Sequence, residues 1–220
     1  MTQRTQRLIA VSGLLFVVIV AVSIFTLPNA PDSNANSAKV VTFFRAHRTA
    51  AGVSAHLITV AILVGVCFFW YFRNLVGVTT TTRHLATVGF AGALLFAASG
   101  AVASGAYYAI NDAIGHADAS TVQTLNLLQG DVSDGMSEAG VTLFLILSGI
   151  AIIRGRGLPQ WLGWVGIVLG VASLILFGLA LPAIGLWLIL TCVTILARSG
   201  SAPPTASVGQ QPAALGTLSG

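Results

Sequence analysis

Apolar residues in this chain fall in long uninterrupted runs separated by short polar stretches, the pattern of membrane-spanning helices. Leu8–Leu27 is twenty residues without a charge and holds fourteen Leu, Ile, Val or Phe residues. As a helix, a run of that length crosses the roughly 30 Å hydrocarbon core of a bilayer. Pro28 and Pro31 stop it. Five further runs predict spans over residues 54–72, 85–110, 136–153, 161–179 and 182–197. The last two come from one stretch, Trp161–Ala197, of 37 residues without a charge. That is too long for one crossing, and Pro182, with Gly178 and Gly185 near it, divides the stretch into two. Both pieces are short, so a re-entrant hairpin is the competing reading. The expected fold class is all-α: a polytopic bundle of six transmembrane helices over residues 8–198, after an N-terminal segment 1–7.

The connecting stretches carry their own patterns. Residues 29–38 read as a loop, and Lys39–Ala51 as a short amphipathic helix at the interface, apolar at Val40, Val41, Phe43 and Phe44 and basic at Arg45 and Arg48. Residues 77–83, with four threonines from Thr79 to Thr82, read as a linker. Ser120 followed by Gln123 fits a capping box and predicts a helix start there. Residues 199–220 lack charge and periodicity and read as a disordered tail.

The third span stands out for small residues. Ala93, Ala97, Ala101 and Gly105 form one row at four-residue spacing, and Gly92, Phe96, Gly100 and Ser104 form a second. Small side chains let helix backbones approach in a membrane, where packing replaces the hydrophobic drive. This helix is therefore expected at the bundle centre, with Tyr107 and Tyr108 at its end. Gly166 and Gly170 make a weaker contact motif of the same kind, and Trp161 and Trp164 suit the interface.

Composition agrees with lipid as the solvent. Of 220 residues, 55% are hydrophobic and 7% charged, against about 25% charged in soluble domains; mean hydropathy is +0.90. The net charge of +4 and a pI near 9.7 do not point to nucleic acid, because the basic residues stand singly or in pairs beside apolar runs. They set an orientation instead. With both termini cytoplasmic, the inside holds Arg4, Arg7, Arg73, Arg83, Arg154, Arg156 and Arg198, and the outside holds Lys39, Arg45 and Arg48. All six acids fall on or near the outside: Asp32, Asp112, Asp118, Asp131, Asp134 and Glu138. The first run exceeds a signal-peptide core of about 7–15 residues, so it is expected to stay as a membrane helix, although Ser33-Asn34-Ala35 resembles a cleavage site.

Candidate chemistry is sparse. No Asp, Glu, Lys, Arg or His lies at the centre of a span, which argues against proton relays and ion pathways. His47 and His56 lie near the outer face, His84 near the inner face and His116 in an outer loop, and interfacial solvation explains them better than metal or haem ligation. Cys67 and Cys192 sit in apolar runs as small hydrophobes. Asp131, Asp134 and Glu138 follow i, i+3, i+7 spacing, one face if the helix is continuous there, against which Gly130 and Gly135 stand as potential breaks. They are a weak candidate divalent-cation cluster and more simply an acidic rim, pairing with Arg45 or Arg48. No catalytic residue and no cofactor is expected. A serine nucleophile within the spans lacks a base.

The segment Gly157-Leu158-Pro159-Gln160-Trp161-Leu162-Gly163-Trp164-Val165-Gly166, with the stretch Phe43-Phe44-Arg45-Ala46-His47-Arg48, resembles a broad family of uncharacterised bacterial multi-pass membrane proteins. In that family a Leu-Pro-x-Trp-Leu-Gly-Trp turn precedes the last helix pair. The resemblance covers about residues 8–198. It implies a bacterial plasma-membrane location and no particular activity, since the family is one of unknown function.

The functional expectation is a non-enzymatic accessory, structural or sensor protein. Its partners are the lipid bilayer and, through small-residue faces, a second copy or another membrane protein, with no nucleic acid. The alternative is a transporter or channel for a neutral or apolar solute, with a cavity lined by Ser99, Ser104 and Ser148. A lipid-modifying enzyme is the third reading and requires the outer acids to converge with a histidine.

Overall fold

The structure, a computed structural model, describes residues 3–27, 30–32, 34–155, 157–176 and 178–200. Every described regular element is helical: α1 (Gln3–Thr26), α2 (Ser37–Ala46), α3 (Arg48–Val76), α4 (Thr80–Ala113), α5 (Ala119–Leu127), α6 (Ser133–Gly155), α7 (Gln160–Ile175) and α8 (Ala180–Gly200). A π turn, Leu128–Val132, joins α5 to α6 without a break. Five helical segments among the described residues are long and apolar enough to cross a membrane: Gln3–Thr26, Arg48–Val76, Thr80–Ala113, Ala119–Gly155 and Ala180–Ser199. The helix of the fifth expected span is shorter than predicted. It ends at Ile175 rather than residue 179, because a turn through Gly178 with φ of 86° closes the chain onto α8. Its 16 residues rise about 24 Å.

Three other expectations are corrected by local hydrogen bonding. The threonine run is not a linker: Thr79 caps α4 in a capping box with Thr82, each side chain meeting the other's backbone N–H. α5 is capped by Asp118 rather than Ser120, the Asp118 carboxylate accepting from the Thr121 N–H and hydroxyl. The amphipathic segment does not run to Ala51. It is α2, capped by the Asn36 side chain and ended at His47, where the chain turns into α3. The expected tail overlaps α8 at Ser199 and Gly200, and its remainder, 201–220, lies outside the described residues.

The long helices form a ring in chain order. α1 packs on α3, α3 on α4, α4 on α6, α6 on α7, α7 on α8, and α8 closes back on α1. One end of the bundle carries Arg73, Arg83, Arg154 and Arg198; the other, the acidic end, carries Asp118 at the cap of α5, Asp131 in the π turn, and Asp134 and Glu138 at the start of α6. Outward faces are apolar, with Leu63, Val168, Leu174 and Val18 exposed.

Glycines set the closest crossings. A Cβ on Gly92 would lie 2.7 Å from the Phe144 nitrogen, and one on Gly140 would lie 2.6 Å from the Phe96 nitrogen, so α4 and α6 touch backbone to backbone. Gly149 and Gly163 do the same for α6 and α7. Gly166 makes room for Trp187, whose indole N–H donates to the Leu162 carbonyl at 3.0 Å. Of the two small-residue rows in α4, the one starting at Gly92 turns inward, with Gly92, Phe96 and Ser104 buried. The other turns out from Ala93 toward exposed Ala101 and Gly105. The core is an aromatic cluster of Phe68, Phe69, Phe72, Phe144 and Trp187. Its edge-to-face pairs, such as Phe69–Phe144 at 4.9 Å and Phe144–Trp187 at 5.5 Å, each add about 0.5–1.5 kcal/mol beyond burial.

Candidate binding cavity

α1 packs on α3 and α8 but not on α4 or α6. The gap is bridged at mid-height by one ring: Phe16 sits against a bare Gly65 on α3 and contacts Phe69 at 5.6 Å and Phe96 at 6.3 Å between centroids. On the acidic side of that aromatic layer the space stays open as a cavity of about 240 Å³. Its walls are apolar for most of their height, with Ile58, Ala61 and Ile62 from α3, Ala97, Gly100 and Ala103 from α4, and Val20 and Ile24 from α1. No lining residue lies on the far side of the layer formed by Phe16, Phe69 and Phe96.

Polar groups gather toward the acidic end of the cavity. Ser23, Ser54, Tyr107, Gln129, Ser133, Asp134 and Ser137 line it there, with Ser99 lower on the α4 wall. Most of the hydroxyls are already engaged. Ser54 donates to the Ser23 carbonyl at 3.1 Å and ties α3 to α1. Ser23 donates to the Val20 carbonyl and Ser99 to the Phe96 carbonyl, both at 2.7 Å. Ser133 donates to the carbonyls of Gln129 and Gly130. Ser137 differs: it is 8% exposed, and its hydroxyl oxygen has no hydrogen-bond partner. The π turn positions this polar rim, because its wider winding shifts the register between α5 and α6 and brings Gln129 and Ser133 to the same wall. Such turns recur at functional sites.

A second, more open hollow of about 470 Å³ adjoins the first. It is lined by Asp131, Asp134 and Glu138 together with Gly135, Gly178 and Ala180, and it shares Asp134, Ser137 and Leu181 with the apolar cavity. All three acids thus line this one hollow. Glu138 is engaged: its carboxylate accepts the Gly178 N–H at 2.9 Å and fastens the α7–α8 turn to the head of α6. No ion pair joins Asp131, Asp134 or Glu138 to Arg45 or Arg48 among the described residues. Nor do three or more His, Cys, Asp or Glu side chains converge as a metal-holding group among those residues.

The remaining candidates lie elsewhere. Ser104 does not line the cavity: it donates to the Ala55 carbonyl at 3.0 Å and shares a hydrogen bond with Thr59, closing the α3–α4 interface. Ser148 is absent from the lining too, being packed at the α4–α6 crossing beside Gly89. Only Ser99 of the three expected serines faces the space. His47, His56 and His116 each donate from Nδ1 to a carbonyl four residues back, on Phe43, Gly52 and Asp112. No histidine lines either hollow, so the acids do not converge with one there. Compared with family models, with curated proteins and with solved structures, the chain matches none.

Proposed function

We propose that this is a non-enzymatic, multi-pass protein of the bacterial plasma membrane that binds a small, mostly apolar molecule inside its helical bundle, as a sensor or accessory subunit does. The single observation that carries the reading is the 240 Å³ cavity, apolar below and hydroxyl-lined above, that ends at the Phe16–Phe69–Phe96 layer. A roughly 150 Å³ apolar cavity binds benzene, so this one suits a molecule of about ten non-hydrogen atoms. Ligand sites are typically apolar pockets with a few placed polar groups. A cavity with one end favours binding over a continuous pore, and so ranks the transporter or channel reading second.

The proposal includes six crossings with both termini cytoplasmic. Two contacts support α7 as the sixth. The Arg198 guanidinium donates to the Gly157 carbonyl at 2.8 Å at one end of the α7–α8 hairpin, and Gly178 donates to Glu138 at the other. A hairpin held at both the arginine end and the acidic head of α6 supports a full crossing over a re-entrant loop. The family resemblance of the Gly157–Gly166 segment belongs to the same proposal; Pro159 there occupies the cap position of α7.

Photolabelling tests the binding reading. The protein in lipid nanodiscs is irradiated with a neutral alkyl diazirine of about ten non-hydrogen atoms, the size set by the cavity. Labels on the cavity faces of α3 and α4 that unlabelled probe displaces, and that Ala103→Phe abolishes by filling the space, are the expected result. Labelling confined to the outward faces and insensitive to competitor overturns it.

A further inference from the structure

Resting on that reading, we infer that the molecule bound in the cavity carries a positive charge at one end: an alkyl- or aryl-ammonium whose apolar body lies among α1, α3 and α4 and whose cationic head sits at Asp131 and Asp134. The two hollows adjoin at a shared wall. Asp134, Ser137 and Leu181 belong to both, so a molecule filling the apolar one meets the acidic one at its end. Two of the three acids there are not spent on structure. Glu138 holds the Gly178 N–H, but Asp131 and Asp134 have no hydrogen-bond or ion-pair partner among the described residues. Two carboxylates on successive turns of one helix repel each other, and a cation between them relieves that repulsion.

Ser137 is the independent observation. Its side chain is more than nine-tenths buried, borders both hollows, and its oxygen is unpaired. A buried unpaired hydroxyl is costly in the empty site, and a ligand N–H or polarised N–CH₃ group at the junction supplies its partner. A bare metal ion fits less well, since no three metal-ligating side chains converge here among the described residues. The apolar cavity beneath also gives an inorganic ion nothing to contact.

The test compares two soluble amphiphiles of matched shape on the whole protein in phosphatidylcholine nanodiscs. Octyltrimethylammonium carries a permanent positive charge; octyldimethylamine N-oxide has no net charge. Each competes against the cavity photolabel, with free concentrations measured. The cation should displace the label at about tenfold lower concentration, the scale of two partly desolvated charge pairs. That preference should shrink with added salt and fall toward unity in the Asp131→Asn, Asp134→Asn double variant. Equal potency of the two compounds in the native protein overturns the inference and leaves the binding cavity standing. Failure of both to displace the label removes the inference together with the proposal beneath it. A cation preference that survives the double variant places the charge recognition elsewhere and overturns the assignment.

Discussion

Gly92 on α4 and Gly140 on α6 face each other so closely that a Cβ on either would lie within 2.8 Å of the other's carbonyl oxygen. The backbones themselves are in contact at this crossing. Neither position has a flexible side chain that can swing aside, so Gly140→Ala must push the helices apart. Overpacking of this kind costs about 1–3 kcal/mol, occasionally more. Thermal unfolding in detergent should show Gly140→Ala clearly destabilised. Gly105→Ala on α4, where nothing lies within 4 Å, should be neutral or slightly stabilising.

What the sequence discloses follows from what lipid demands. A helix in hydrocarbon satisfies its own backbone and needs about twenty apolar residues, so Leu8–Leu27 and the third span are readable by length alone. The ends are less legible. Thr79 and Asp118 cap their helices through side-chain geometry that residue type only suggests, and a threonine run reads equally well as linker. The π turn at Leu128–Val132 leaves no clear trace, because Gly130 and Gly135 look like breaks in a helix that in fact continues. The cavity was the least legible of all. It exists because Phe16 props α1 away from α4 and α6, a relation between residues 50 to 80 positions apart. Among hydroxyls, Ser99 and Ser104 look alike in sequence; the difference is that Ser104 meets Ala55 and Thr59 across the interface.

The Asp118 cap predicts a pH dependence. The Thr121 hydroxyl and N–H, then the Ser120 hydroxyl, hold its carboxyl below the ordinary range. A carboxylate with a lowered folded-state pKa contributes stability at neutral pH, above its unfolded value near 4. That contribution is lost as pH falls through the lower folded value. Hydrogen exchange at the first amides of α5 should therefore speed up, relative to the rest of the bundle, as the pH is lowered below about 4. Asp118→Ala should show the fast exchange already at pH 6, with no further acid response at these amides.

Asn126 on α5 is 1% exposed, and both its amide oxygen and nitrogen lack partners. A buried unsatisfied polar group costs about 1–3 kcal/mol, while an apolar group of similar shape carries no such cost. Asn126→Leu should raise the unfolding temperature of the purified protein. A drop in stability would mean that this amide is satisfied in solution, and that the acidic-end packing of α2, α4 and α5 depends on it.

The most direct test of a ligand-binding cavity is site-specific protection of a thiol placed inside it. In a Cys67→Ser background, where the remaining Cys192 is buried, Ser99→Cys puts the thiol on the cavity wall and Leu63→Cys puts one on an exposed apolar face. N-ethylmaleimide labelling rates are then followed as octyldimethylamine N-oxide is added below its micellar concentration. The account predicts saturable slowing at Ser99→Cys and no change at Leu63→Cys. Parallel slowing at both positions, or none at either, would contradict it.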